Sequence, residues 1–129
     1  MAGLEIGLRG RATMRVTHDK TAEAWGSGDI PVYGTPSLVA LLETAAVNAV
    51  AGRLGPGETT VGTWLDVSHL AATPVGVEVS AEAELVAIEG RKLTFSVVAH
   101  DPRNKIGECR HQRMIVLRDR FLAKVQSPE

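Results

Sequence analysis

The segment YGTPSLVALLETAAVNAV, residues 33–50, restricts the folding choices of this chain more than any other. Between Tyr33 and Arg53 the only ionisable side chain is Glu43. Thr35 suits a helix N-cap, Pro36 suits the first helical position, and no breaker follows before Gly52. Leu38, Leu41, Leu42, Ala45, Ala49 and Leu54 recur at helical spacing, while Val39, Ala40, Ala46, Val47 and Val50 fill the other faces. With no side fully polar, the helix is expected to be buried nearly all round. Ser37, Glu43, Thr44 and Asn48 interrupt it, which argues against a membrane span. It therefore reads as a central helix wrapped by the rest of the chain.

After the helix the hydrophobic period changes. GTWLDVSHLAATP, from Gly62 to Pro74, is rich in β-formers, and VGVEVSAEAELVAIE alternates. In that alternation Val75, Val77, Val79, Ala81, Ala83 and Leu85 fall on one face, and Glu78, Ser80, Glu82 and Glu84 on the other. EGRK and DPRNK are turn signals, each followed by a further strand pattern, LTFSVVAH and IGECRHQRMIVL. Ahead of the helix, RATMRVTHD reads as a first strand and KTAEAWGSGDIPVYG as a loop. One strand, a loop, a long apolar helix and an antiparallel meander define an α+β domain spanning residues 1–129. A twisted sheet curled around one helix is the arrangement that buries such a helix.

Charge and cysteine content narrow the function classes. Lys and Arg total 14 against 15 Asp and Glu, a net charge of −1, and no basic run appears, so nucleic acid is not an expected partner. The N-terminal MAGLEIGLRGRATM lacks the apolar core of a signal peptide, and the chain is expected to be cytoplasmic with no membrane association. The one cysteine, Cys109, fits a small strand residue in a reducing compartment and has no companions for a metal site.

Two side chains of the helix stand out as candidates for chemistry. A carboxylate in an apolar helix must be paired, protonated, or facing a cavity or a gap in the wrapping, because an isolated buried charge is too costly. Glu43 so placed suits a base or nucleophile, for which an imidazole is the natural partner. Thr35 lies at the helix N-terminus, where backbone N–H groups and the dipole favour an oxyanion; equally, a threonine before Pro36 can be only a cap.

The element order resembles the hotdog fold, a long central helix wrapped by a curved antiparallel β-sheet. Thr35, Glu43 eight positions later and His69 after the GTW strand, with Gly62 at that strand's start, resemble the fluoroacetyl-CoA thioesterase type of this fold. The segment LGPGETTVGTWLDVSHLAATPVG resembles that family's turn, Gly-Thr strand and V-x-H-x-A-A-x-P-x-G stretch. EGRKLTFSVVAHD, KIGECRHQR and FLAKV resemble its last strands, so the likeness runs from about Arg15 to Val125. It implies a homodimer or higher homo-oligomer, an acyl-CoA substrate, no cofactor and no metal. It also implies a catalytic set of Thr35, Glu43 and His69, with Gly62 and Arg113 in substrate binding. The chain departs from the family in EAWGSGDIPVY, where aromatic residues would cover the acyl group and only Trp25 and Tyr33 are aromatic here. The expected activity is therefore hydrolysis of a small acyl-CoA. Its rivals are an acyl-CoA hydratase or dehydratase, which also uses a helix carboxylate and a histidine, and a non-catalytic acyl-CoA-binding protein.

Overall fold

A computed structural model describes residues 3–127. The elements are β1 (Arg9–Arg15), a 3-10 turn (His18–Lys20), α1 (Ala22–Trp25), α2 (Thr35–Ala49), β2 (Glu58–His69), β3 (Glu78–Glu89), β4 (Lys92–His100), β5 (Lys105–Leu117) and α3 (Arg118–Gln126). The five strands form one antiparallel sheet in the order β1-β3-β4-β5-β2. The meander β3-β4-β5 follows from its turns: Gly90, at φ +64°, closes the first hairpin in a conformation that favours glycine. In the second, Asp101 Oδ1 accepts from the amides of Arg103 and Asn104 at 2.8 and 2.7 Å. The two strands outside the meander, β1 and β2, form the edges of the sheet.

α2 lies across the concave face. Leu38, Leu41, Leu42, Ala45, Ala46 and Ala49 are buried against Val79, Ala81, Ala83 and Leu85 of β3 and Leu93, Phe95 and Val97 of β4. Each buried leucine contributes on the order of 1.5–3 kcal/mol by leaving water. Gly10 of β1 sets the depth of the packing, since a Cβ there would collide with the backbone of Ala45 and Ala49. The alternation in β3 appears as expected from Val79 to Leu85, whereas Val75 precedes the strand and is 47% exposed.

Several expectations change. Gly34, not Thr35, is the N-cap of α2, and no side chain caps it. The helix is also not buried all round, because Ala40, Thr44, Val47 and Asn48 form an exposed stripe with Val47 at 42% exposure. β2 begins at Glu58, before Gly62, and ends at His69, before Pro74. Phe121–Val125 is not strand but part of α3, which has no buried residue. The loop before α2 contains the one-turn α1, whose N-cap Thr21 accepts from the Ala24 amide at 3.1 Å and whose C-cap Gly26 is left-handed. No helix among the described residues is long and apolar enough to cross a membrane.

Candidate active site

The predicted site residues fall into two clusters. At the N-terminal end of α2, Thr35 Oγ1 lies 2.8 Å from His69 Nδ1 at the end of β2. The Thr35 hydroxyl is thus engaged with the imidazole rather than with a helix amide. Tyr33 meets the same ring edge-on, with centroids 6.5 Å apart. His69 Nε2 is buried without a hydrogen-bond partner among the described residues. Burial holds the His69 pKa below the ordinary histidine value, and the Ala71 backbone works in the opposite direction. An open cavity of about 360 Å³ adjoins the pair, lined by Val32, Tyr33, Thr35, His69, Leu70, Ala71 and Ala72.

The second cluster lies two turns further along α2, about 12 Å away by helical rise. Glu43 Oε2 is 3.4 Å from Arg113 Nη1 of β5, with the Glu43 side chain 36% exposed and that of Arg113 only 8%. Glu43 is therefore at the rim of the core rather than buried in it, and its partner within the chain is Arg113 rather than His69. Arg113 makes three further contacts: Nε donates to Thr60 Oγ1 at 2.9 Å, Nη2 to the Thr60 carbonyl at 3.1 Å, and Nη1 to His111 Nε2 at 3.1 Å. Burial pulls the Arg113 pKa below the usual arginine value, while Glu43 opposes that shift.

Gly62 has a steric role here. A Cβ at that position would stand 2.7 Å from Glu43 Oε2 and 3.3 Å from both Arg113 Nη1 and His111 Cε1. The carboxylate thus rests over bare backbone of β2, which Gly62 leaves open to solvent. His111, fully buried, is the member that sequence reasoning left as an ordinary histidine. Its place two residues before Arg113 on one face of a strand is the signal that could have found it. Cys109, next on that face, is a free and buried thiol as expected, and burial is the first cause that pushes its pKa up to about 12.

Among the aromatics of the loop before α2, Tyr33 is buried, with its hydroxyl donating to the Ser37 carbonyl at 3.2 Å. Trp25 is 57% exposed, and its indole N–H donates to Ser37 Oγ at 2.8 Å.

A family model described as fluoroacetyl-CoA-specific thioesterase matches residues 16–119. The chain belongs to this family. A fluoroacetyl-CoA thioesterase of Streptantibioticus cattleyicolor is 44% identical over 95 residues, covering 74% of this chain and 68% of that protein. The crystal structure of a point mutant of the fluoroacetyl-CoA-specific thioesterase superposes with a TM-score of 0.89 at 36% identity, covering 98% of both chains. A structure of that mutant with fluoroacetate and CoA gives 0.85 at 35% identity, over 92% of this chain and 99% of the other. These matches agree with the element order and curled sheet described above, and the fold is that of the hotdog thioesterases. Membership in the fluoroacetyl-CoA-specific thioesterase family makes this chain a thioester hydrolase.

Proposed function

We propose that this thioesterase hydrolyses a small acyl-CoA at a site shared between two copies of the chain. The observation that carries the reading is the Thr35–His69 hydrogen bond at the positive end of α2. His69 Nε2 then has no partner among the described residues. In the proposed reaction the carboxylate of Glu43 drives attack on the thioester carbonyl, directly or through a water molecule. His69 delivers a proton to the departing coenzyme A thiolate, and the N-terminus of α2 with Thr35 favours the developing oxyanion. The products are a carboxylic acid and coenzyme A. Gly62 leaves room above Glu43, and Arg113 holds that carboxylate instead of meeting the substrate first.

The distances support a shared site. β2 carries His69 at one end and Gly62 seven residues earlier, roughly 23 Å along an extended strand, so one chain does not bring the two clusters together. Among the described residues the outer edge of β2 is unpaired, and a two-fold partner pairing there would run antiparallel to it. Full overlap of the two strands sets His69 opposite the start of the partner's β2, where the Thr60–Gly62 segment holds the Glu43–Arg113 cluster. The exposed stripe on α2 and Trp64, 46% exposed on β2, give such a dimer apolar surface to bury. The buried cysteine fits a cytoplasmic setting.

Incubation with a panel of acyl-CoAs and a thiol-reactive dye tests the reaction. Coenzyme A released from a short-chain member is the expected result. Loss or gain of a double bond without thiol release would indicate a hydratase or dehydratase instead, and tight binding without turnover a binding protein.

A further inference from the structure

Arg113 is held by more contacts than its ion pair with Glu43 requires, and one of them leads to a residue with no assigned role. His111 is completely buried on β5, two residues before Arg113, and packs on Phe95 of β4 with ring centroids 6.2 Å apart. Its Nδ1 is 2.9 Å from the Trp64 carbonyl and its Nε2 is 3.1 Å from Arg113 Nη1. A carbonyl only accepts and a guanidinium only donates, so both contacts are satisfied by one state: a neutral ring with its proton on Nδ1. The Trp64 carbonyl reaches this position at a bulge. Gly62 pairs with Arg113 and Trp64 with Gln112, which leaves Thr63 as the extra residue of β2. Thr63 Oγ1 donates to the Gln112 carbonyl at 3.1 Å, tying the bulge to β5.

We propose that His111 is a positioning residue for the hydrolytic site, locked by the Thr63 bulge as the Nδ1–H tautomer so that its Nε2 lone pair aims Arg113 Nη1 at Glu43. The inference rests on the proposed role of Glu43 and extends it inward by two steps, from carboxylate to guanidinium to imidazole. Nη1 serves both Glu43 Oε2, at 3.4 Å, and His111 Nε2, at 3.1 Å, while Thr60 takes the other two donors of the fork. The guanidinium plane is then fixed at both ends before substrate arrives, as an electrostatic site requires. A charged His111 would turn an N–H toward a cation and break the arrangement. Glu43 Oε2, 4.0 Å from Nε2, is too far to replace the lost contact. The charged groups facing the ring are Glu43 from α2 and Arg113 from β5. From β4 it meets the Phe95 ring, and from β2 the Trp64 carbonyl.

Nitrogen-15 NMR of the imidazoles in the unaltered enzyme tests the tautomer directly. His111 should show a protonated Nδ1 and a bare Nε2, and should stay neutral to lower pH than an exposed histidine. A proton on Nε2, or a charged ring at neutral pH, overturns the proposal whatever the activity. The functional half uses His111→Phe, which keeps an aromatic ring against Phe95 but offers Arg113 no acceptor, and His111→Gln, whose amide supplies one. His111→Phe should lower kcat about tenfold or more with little change in KM, and His111→Gln should recover much of that loss. A folded Phe variant with unaltered kcat, or equal losses in both variants that follow melting temperature alone, would reduce His111 to a packing residue. If the Phe variant does not fold, the Gln variant and the tautomer decide. An unaltered enzyme that frees no coenzyme A from any acyl-CoA would refute the hydrolytic reading separately, leaving the tautomer measurement to decide the geometry.

Discussion

At the residue scale, Thr35 and Gly62 have roles that their residue types alone do not reveal. Thr35 stands one position inside α2, with its hydroxyl on His69 Nδ1 and no helix amide to cap. Thr35→Ala should therefore spare the 0.5–2 kcal/mol, roughly, that loss of a true N-cap costs. Its effect should fall on the reaction, with kcat lowered about tenfold or more, while Thr35→Ser keeps most of the rate. Thermal melts run alongside turnover at saturating acyl-CoA separate the two. A large drop in melting temperature with turnover per folded enzyme intact would return the hydroxyl to a structural role. At Gly62 the argument is steric. The Cβ of Gly62→Ala, 2.7 Å from Glu43 Oε2, forces the carboxylate off its seat. Because the obstructing atom is the end of a partly exposed side chain, the fold should tolerate the change, whereas turnover should drop about tenfold or more. A crystal structure of the variant should show Glu43 displaced from Arg113.

At the element scale, α2 and the strands β2 and β5 divide the candidate site residues between them. α2 runs antiparallel to β2, so Thr35 meets the far end of that strand and Glu43 its beginning. β5 lies beside β2 and sends His111 and Arg113 to the concave face on alternate positions. Both histidines of these strands are held below the ordinary value of 6.5, by burial first, with the Ala71 backbone opposing at His69. At His111, Arg113 adds to the depression and the Trp64 backbone and Glu43 oppose it. A histidine favoured as neutral in the native state binds fewer protons there than in the unfolded chain. Its contribution to stability is complete above the unfolded value and is lost as pH falls through that value toward the depressed one. Melting temperature should thus decline as pH is lowered from about 7.5 through about 6.5 and below. His111→Gln, which removes one of the two groups, should flatten the decline. A melting temperature independent of pH across that interval would contradict the assigned burial of both rings.

At the scale of the whole molecule, β2 is an edge strand and α2 carries an exposed stripe that includes Val47, and the proposed shared site calls on a second copy to cover such surface. Val47→Asn puts an uncharged polar group in that stripe and offers Glu43, one helical turn away, no competing cation. It should shift the protein toward monomer in light scattering and reduce turnover in proportion to the dimer lost. A complementation experiment asks which copy supplies what. Thr35→Ala and Glu43→Gln chains, each strongly impaired alone, should on mixing through reversible dissociation rise to roughly a quarter of normal activity, because half of the dimers would be mixed and each would hold one intact site. Two impaired parents with no gain on exchange would mean that each chain carries its own site.

What the sequence determined by itself was the layout: a helix too apolar to be solvated, a change of period from helix to strand at its end, and turn residues at EGRK and DPRNK that close two hairpins. These are local signals, legible because periodicity and turn chemistry act over a few residues. The resemblance singled out Thr35, Glu43, His69, Gly62 and Arg113 as a group, and the structure alone divided them between two places about 12 Å apart along α2. It also replaced His69 by Arg113 as the neighbour of Glu43 and opened one face of a helix that looked apolar on every side. Strand pairing between residues some fifty positions apart decides such matters, as where Thr60 meets the Arg113 fork. A bulge at Thr63 then chooses which carbonyl faces His111. No local pattern encodes these choices, because a one-residue shift of register would send every side chain of β2 to the opposite face.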